Sequence, residues 1–209
     1  VGFVSVEMDA VSLGMRLAAS QADVSATDLR TGRLAGADWP RLTQASNEIA
    51  AMPLRVLDAP AWQMSQIVRQ GHAWHRLGLD LLVLDYLQRI RPDKQSDRHD
   101  LMIGQMATDA KTLAATLKIP VILLSQLSRS VEQRADKRPN LSDLRESGQI
   151  EQEADNVIFL YRDAVYNEDA DERAAELIVE KQRQGPTGVI DMIWEGNRSR
   201  WSDEKDMPQ

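Results

Sequence analysis

Four apolar residues in a row, at positions 81–84, constrain the fold of this chain more than any other feature. A strand with one wet face alternates apolar and polar residues, whereas a strand covered on both faces by helices is apolar throughout. The run therefore predicts a buried strand in a mostly parallel sheet. Asp85 follows at its carboxyl end, the edge where open α/β sheets bind ligands and where an acid often holds the Mg²⁺ of a nucleotide phosphate. Taken alone, the pattern favours an acid that merely begins a loop, because it occurs in many α/β proteins.

The rest of the chain predicts an alternation of strands and helices. Segments 1–6, 54–57 and 121–124 are rich in strand formers, and helical patterns near 26–30 and over 36–52, 63–77 and 98–118 separate them, with a further helix expected after Asp9. Such an order implies right-handed crossovers and a parallel sheet flanked by helices. Shorter spacings after residue 156 predict antiparallel strands added to one edge of that sheet. Two helices have apolar residues at helical spacing. We expect a partly buried face in the first, with Val11, Leu13, Met15, Leu17 and Ala18, and core positions in the helix over 36–52, with Trp39, Leu42, Ala45, Ile49 and Met52.

Length and composition narrow the class of protein. The 209 residues fit one domain, expected over 1–202, and a tail over 203–209 that we expect to be disordered. Because cysteine is absent, disulfides and thiolate metal sites are excluded and the cytoplasm is the expected compartment. The net charge of -7 argues against a protein that coats nucleic acid with a basic face, but it leaves room for local phosphate contacts.

Polar side chains follow three of the predicted strands. Glu7, Asp85 and Gln126 each come at or just after a strand end, and parallel strands align such ends along one edge of a sheet. One acid for Mg²⁺, a second to activate water and an amide to sense a γ-phosphate are what phosphoanhydride hydrolysis requires. Each residue by itself is better explained by strand ends becoming polar. The three together favour a site.

Two further groups of residues have an open interpretation from spacing alone. The segment 142–148 contains Arg145, Glu146 and Gly148. It is either a loop that binds a nucleic-acid phosphate or a solvated run of paired charges, and spacing alone favours the second interpretation. Lys181 and Arg183 lie two residues apart, so both would point to one face of a strand. They are either cations that neutralise phosphate across a subunit boundary or exposed charges on an edge strand, and spacing favours the edge.

Several segments, taken together and in order, resemble the carboxy-terminal motor domain of the DnaB family of hexameric replicative DNA helicases. The segments are SVEM at 5–8, DYLQ at 85–88, LSQL at 124–127, DKRP at 136–139 with LSDLRESG at 141–148, IEQ at 150–152 and KQRQGPTG at 181–188. The resemblance covers nearly the whole chain, and the block over 136–155 is its most specific part.

The resemblance implies a RecA-like P-loop NTPase core, ATP and Mg²⁺ as cofactors, a homohexameric ring and translocation on single-stranded DNA, with primase and a helicase loader as partners. It also implies a role for each matching residue. Glu7 would activate the attacking water, Asp85 would be the Walker B acid that holds Mg²⁺ through a water molecule, and Gln126 would couple the nucleotide state to the DNA loops. Arg145, Glu146 and Gly148 would belong to the DNA-binding loop, while Lys181 and Arg183 would reach the neighbouring subunit's nucleotide.

The sequence departs from the family pattern in three places. Arg89 stands where the family usually has an apolar residue, and Trp201 stands where Phe or Tyr is common. More seriously, the phosphate-binding pattern G-x-x-x-x-G-K-[ST], which in the family precedes the strand that begins here at Val1, does not occur in the 209 residues. We therefore expect a truncated motor fragment that has little activity by itself. The alternative is a binding or assembly module on the same sheet that does not turn over ATP.

Overall fold

The computed structural model describes residues 1–203, with the side chains of residues 145–147 left aside. These residues form two compact units. The first comprises Val1–Ala10, Pro53–Arg134 and Asn140–Val157; the second comprises Val11–Met52, Ala135–Pro139 and the residues from Ile158 onward. The expectation of a single domain over 1–202 stays a prediction, and the expected disorder of the tail concerns residues 204–209, which lie outside the described residues.

The helices and strands follow the predicted alternation. The helices are α1 (Ala10–Ala22), α2 (Ala26–Thr31), α3 (Asp38–Ala51), α4 (Met64–His75), α5 (His99–Leu117) and α6 (Gly148–Glu153). The strands are β1 (Gly2–Ser5), β2 (Arg55–Asp58), β3 (Leu82–Asp85), β4 (Val121–Leu123), β5 (Asn156–Tyr161), β6 (Ala174–Gln182), β7 (Gly188–Glu195) and β8 (Arg200–Ser202). Short 3₁₀ helices lie at 87–89, 129–133, 141–147, 163–165 and 196–198.

The first unit is built on a parallel sheet with the strand order β2-β1-β3-β4. As the apolar run predicts, Leu82 and Leu84 of β3 are fully buried. Helix α4 packs so closely on β1 that a Cβ atom at Gly2 would lie only 2.6 Å from a ring carbon of Trp74 and 2.9 Å from a methyl carbon of Leu79. Glycine at position 2 therefore sets how near the helix comes to the centre of the sheet.

The second unit contains α1, α2 and α3 and the sheet β5-β6-β7-β8. The pairs β6–β7 and β7–β8 are antiparallel, as expected. The strands form a sheet of their own, however, instead of extending the parallel sheet, because β5 hydrogen-bonds to β6 and has no ladder with a strand of the first sheet among the described residues.

The predicted buried faces of α1 and α3 are partly wrong. Trp39 and Met52 are 55% and 44% exposed, and Val11 and Leu17 are exposed as well. The helices meet through small residues instead, in a cluster of Ala19, Ala22, Val24 and Ala45. Small side chains allow the backbones of the helices to approach closely, which leaves the large apolar residues at the margin.

No helix within residues 1–203 is both long enough and apolar enough to cross a membrane.

Candidate active site at the strand ends

The structure brings the three predicted polar side chains to one edge of the parallel sheet. Ser5, the last residue of β1, is in register with Asp85, the last residue of β3, and the amide of Val6 donates a hydrogen bond of 2.9 Å to the carbonyl of Asp85. Glu7 is the next residue after this bond. Gln126 follows β4, the neighbour of β3 on its other side. The two carboxylates and the amide thus follow three adjacent strands.

The turn that carries Glu7 is held by a buried hydroxyl. Ser5 is fully buried, and its Oγ accepts a hydrogen bond of 3.1 Å from the amide of Met8. The side chain of Glu7 is about half exposed, and its Oε2 lies 4.0 Å from Nε of Arg89. Arg89 is anchored by donating to the hydroxyl of Tyr86 at 3.1 Å. That hydrogen bond, and to a smaller extent the charge of Glu7, raise the pKa of the Arg89 guanidinium. Arg89, one of the departures from the family pattern, therefore adds a positive charge near Glu7.

A second anchor lies between the ends of β3 and β4. The side-chain oxygen of Gln88 accepts a hydrogen bond of 3.1 Å from the backbone N–H of Gln126. The side-chain nitrogen donates to the carbonyl of Gln126 at 3.2 Å and to Oγ of Ser125 at 2.9 Å. The backbone of Gln126 is therefore fixed by a side chain three residues after Asp85. Spacing gives no signal for Gln88, although it belongs to the segment DYLQ at 85–88.

Residues 141–147 form a 3₁₀ helix, so the prediction of a loop at 142–148 is wrong. Asn140 caps this helix: its side chain accepts from the amide of Ser142 at 3.0 Å, while Asp143 accepts from the amide of Asn140 at 2.9 Å. Asp143 is only 3% exposed and forms an ion pair of 2.8 Å with Arg134. At Asp143 the segment is therefore a buried, hydrogen-bonded structure and not a solvated run of charges.

The residues predicted to bind DNA come immediately after this buried pair. Arg145 and Glu146 lie in the 3₁₀ helix, and their side chains are outside those that the structure describes. Gly148 is exposed and begins α6. This helix packs on α5, where Thr108 donates to Glu153 at 3.0 Å. Lys111 of α5 forms an ion pair with Asp155 just beyond α6. Hydrogen bonds and ion pairs thus lie on both sides of residues 145–148.

Lys181 and Arg183 do not share a strand face. Lys181 lies in β6 and is partly buried, but β6 ends at Gln182, and the exposed Arg183 begins the turn before β7. In the ladder between β6 and β7, the pair nearest the turn is Val179 with Gly188, so residues 180–187 lie beyond this ladder. The prediction of one shared face is wrong for Arg183, because the turn that contains Gly185 and Pro186 starts there.

In the second unit, the residues just before the 140–148 segment bind to β6. Nε and Nη2 of Arg138 donate to the two carboxylate oxygens of Glu176 at 2.8 and 2.6 Å, and the hydrogen bonds raise the pKa of Arg138. The guanidinium also lies 5.1 Å from the centre of the Tyr161 ring. A forked pair of this kind holds a segment in one orientation better than a single contact.

Comparison with known proteins shows which family the chain resembles. The family model described as the DnaB-like helicase C terminal domain matches residues 1–203. The chain is 42% identical over 197 residues to the replicative DNA helicase DnaB of Geobacillus stearothermophilus and 40% identical over 197 residues to the replicative DNA helicase DnaC of Bacillus subtilis (strain 168). Each alignment covers 93% of this chain and 43% of the relative, so the chain spans less than half the length of the curated relatives that it matches.

Solved structures show the same similarity. The ATPase domain of G40P superposes with a TM-score of 0.92 at 35% identity, covering 97% of this chain and 73% of that one. A DnaB-like replicative helicase, described with its interactions with primase, superposes with a TM-score of 0.93 at 35% identity, covering 97% of this chain and 50% of that one. The fold is therefore that of the RecA-like ATPase domains of these helicases, as predicted. From the match over residues 1–203 and the strand-end site together, we conclude that the chain belongs to the family of DnaB-like helicase C-terminal domains.

Proposed function

We propose that the chain is the motor portion of an ATP-dependent replicative DNA helicase, which moves along single-stranded DNA as a homohexameric ring. The observation that carries this proposal is the placement of Glu7, Asp85 and Gln126 after three adjacent strands of a parallel sheet. The relatives named as replicative DNA helicases support it. Activity on DNA also agrees with the cytoplasmic location that the absence of cysteine predicts.

The side chains present fit part of an ATP and Mg²⁺ site. Mg²⁺ takes oxygen ligands and retains several waters, which suits a single carboxylate such as Asp85 acting through water. The phosphate-binding loop pattern is not among the 209 residues, so the chain supplies the metal acid and the base without the phosphate cradle. Bound ATP and Mg²⁺ would supply the phosphoanhydride and the neutralising charge.

Each side chain then has a separate task in the proposed mechanism. Glu7, half exposed beyond β1, accepts a proton from the attacking water. Gln126, fixed through its backbone, reports the state of the γ-phosphate toward the DNA-binding segment. Lys181 and Arg183 stabilise negative charge on a nucleotide held by the neighbouring subunit. An exposed position in a turn suits Arg183 for this task, because a side chain there reaches beyond its own subunit.

The DNA-binding portion of the proposal rests on residues 145–148. Arg145, Glu146 and Gly148 would contact the DNA strand, and the ion pair of Arg134 and Asp143 would hold the 3₁₀ helix that contains the first two. Primase and a helicase loader are the further partners that we propose for the intact protein. A relative described by its interactions with primase supports the first of these.

The second candidate function is a binding or assembly module that uses this fold without turnover. It is favoured by a single observation, the absence of the phosphate-loop pattern from the 209 residues. The coding sequence upstream of Val1 distinguishes the two candidates. A phosphate loop there supports the motor, and robust ATP turnover by the 209-residue chain alone would contradict our description of it as an incomplete site.

Subunit mixing tests the motor proposal. In the intact protein, Glu7→Gln should retain ATP binding and lose hydrolysis by about 10²- to 10⁴-fold, because a positioned base contributes that much. Arg183→Ala should lose about 10³- to 10⁵-fold, the range of arginine fingers elsewhere. Mixed together, the two inactive variants should regain activity, since some interfaces pair an intact Glu7 with an intact Arg183.

The matched control for the mixing experiment is Arg30→Ala, which removes an exposed cation of α2 and should leave activity unchanged. Subunit exchange is verified with fluorescently labelled protein. If rings that demonstrably exchange subunits stay as inactive as either parent, Arg183 acts within its own subunit and this part of the proposal is wrong.

A further inference from the structure

We infer that Gln88 is a positioning residue for Gln126, and that it links the end of the strand carrying the metal acid to the side chain proposed to sense the nucleotide. This inference rests on the proposed function, because it concerns the role given there to Gln126. It adds a residue to which neither spacing nor the resemblance assigned a task.

Beyond Leu124, the side chain of Gln88 makes the hydrogen bonds to the backbone after β4 that a neighbouring strand would otherwise make. Between β3 and β4 the ladder continues after the strand ends, where the amide of Leu124 donates to the carbonyl of Leu84 at 3.0 Å and the amide of Leu87 donates to the carbonyl of Leu124 at 2.9 Å. The side chain of Gln88 then takes over. It accepts from the amide of Gln126 at 3.1 Å and donates to its carbonyl at 3.2 Å, so both backbone groups of Gln126 are paired.

The chemistry of this contact requires a primary amide. One oxygen must accept from a backbone N–H while a nitrogen on the same carbon donates to a backbone carbonyl, and only the side chains of Asn and Gln offer both. Glu at this position would keep the acceptor but would bring a second oxygen toward the carbonyl of Gln126. Asn would be one methylene shorter. The donor of Gln88 also reaches Oγ of Ser125 at 2.9 Å, which fixes the orientation of the amide.

The backbone of Gln88 is itself held in place. Gln88 lies in the 3₁₀ helix Leu87–Arg89, and Leu87 is fully buried beneath it. Asp85 is only three residues earlier. The side chain that holds Gln126 is thus attached by a short segment to the residue proposed to hold Mg²⁺. A displacement at the end of β3 would therefore be passed to Gln126 through two hydrogen bonds and to Ser125 through a third.

The experiment is a double-mutant cycle in the intact helicase, with DNA-stimulated ATP hydrolysis as the readout. Gln88→Ala should lower the DNA-stimulated kcat by about 10-fold, because it removes hydrogen bonds that each contribute modestly, while the KM for ATP changes little. Gln88→Glu should lose at least as much activity, since it deletes both donated bonds and sets a carboxylate oxygen against the carbonyl of Gln126. In the Gln126→Ala background, Gln88→Ala should cause no additional loss, because the side chain that it positions is gone.

Gln95→Glu is the matched control, since it makes the same change of charge at an exposed position in the loop before α5. A purely structural role for Gln88 would instead lower the thermal stability of Gln88→Ala and multiply the loss in the double variant. That result, or an unchanged kcat in Gln88→Ala, would overturn the inference while leaving the proposed function intact. If Gln126→Ala itself keeps full DNA stimulation, the proposed role of Gln126 is wrong and the inference falls with it.

Discussion

The ion pair between Arg134 and the buried Asp143 allows the sharpest prediction about stability. Removing the carboxylate with Asp143→Ala deletes two charge-assisted hydrogen bonds, from Nη2 of Arg134 at 2.8 Å and from the amide of Asn140 at 2.9 Å. Each such bond contributes about 1.5 to 3 kcal/mol to the free energy of unfolding. Because Arg134 remains about one-third exposed, water partly compensates its loss, and the lower end of that range applies.

The expected total is therefore about 3 kcal/mol for Asp143→Ala. In a chain of this size, 1 kcal/mol lowers Tm by roughly 2 to 4 °C, so the Tm should fall by roughly 6 to 12 °C. Asp143→Asn, which keeps the shape and loses the charge, should cost about half as much. Urea and thermal unfolding of the 209-residue chain, followed by circular dichroism, measure both values.

A double-mutant cycle with Arg134→Met measures the coupling free energy between Arg134 and Asp143. The double variant should be more stable than the sum of the single losses predicts, by about 1 to 3 kcal/mol, because no unpaired charge remains. Asp100→Ala removes a carboxylate from the exposed pair with Arg98 and should leave Tm unchanged. A fall of less than about 2 °C for Asp143→Ala, or strictly additive losses in the cycle, would refute the reasoning.

Two further predictions concern the titration of a phenol and the packing of a glycine. Burial, together with a hydrogen bond of 2.6 Å to Asp163, raises the pKa of Tyr161 to about 12. In the unfolded chain a phenol has a pKa of about 10, so between these two values the native state binds the proton and the unfolded state does not. The free energy of unfolding should therefore fall as the pH rises from about 10 to 12. Absorbance at 295 nm should show this late step, and Tyr161→Phe should remove it; a final step near pH ~10 in the folded protein would contradict the assignment. Gly2→Ala should lower the free energy of unfolding by about 1 to 3 kcal/mol, because the added Cβ overlaps the buried ring of Trp74, whereas Gly14→Ala, with open space around it, should not destabilise the chain in the same urea titration.

The parallel sheet and its edge could be predicted because their signals are local. The continuous apolar run at 81–84 correctly predicts a covered strand, since Leu82 and Leu84 are fully buried, and parallel strands bring their carboxyl ends together by geometry. The burial of Trp39, in contrast, could not be predicted correctly from local spacing. Its spacing fits a buried helix face, but the helix packs through Ala45, and a period of 3.6 residues cannot tell which of several apolar residues faces the neighbour.

The environments of Asp143 and Gln88 could not be predicted, because both depend on partners that are distant in sequence. Asp143 stands in a stretch dense with charges, and its burial follows from Arg134 and from the capping of a 3₁₀ helix, neither of which has a periodic signal. Gln88 grips a backbone 38 positions away through side-chain hydrogen bonds. The spacing of Lys181 and Arg183 predicts one strand for both, but β6 ends at Gln182, because the turn that contains Gly185 and Pro186 begins at Arg183.

The end strands of the two sheets carry a consequence for how the chain behaves in solution. Among the strands that the structure describes, β4 is an end strand of its sheet and exposes Ile122 by 50%. β5 is an end strand of the other sheet and exposes Ile158 and Leu160 by 53% and 57%. An end strand offers free backbone donors and acceptors to any second strand that approaches, and apolar side chains beside them make such an encounter favourable. In concentrated solution the isolated 209-residue chain should therefore form aggregates that scatter light well below its unfolding temperature. This association between molecules should also lower the yield of the purified chain.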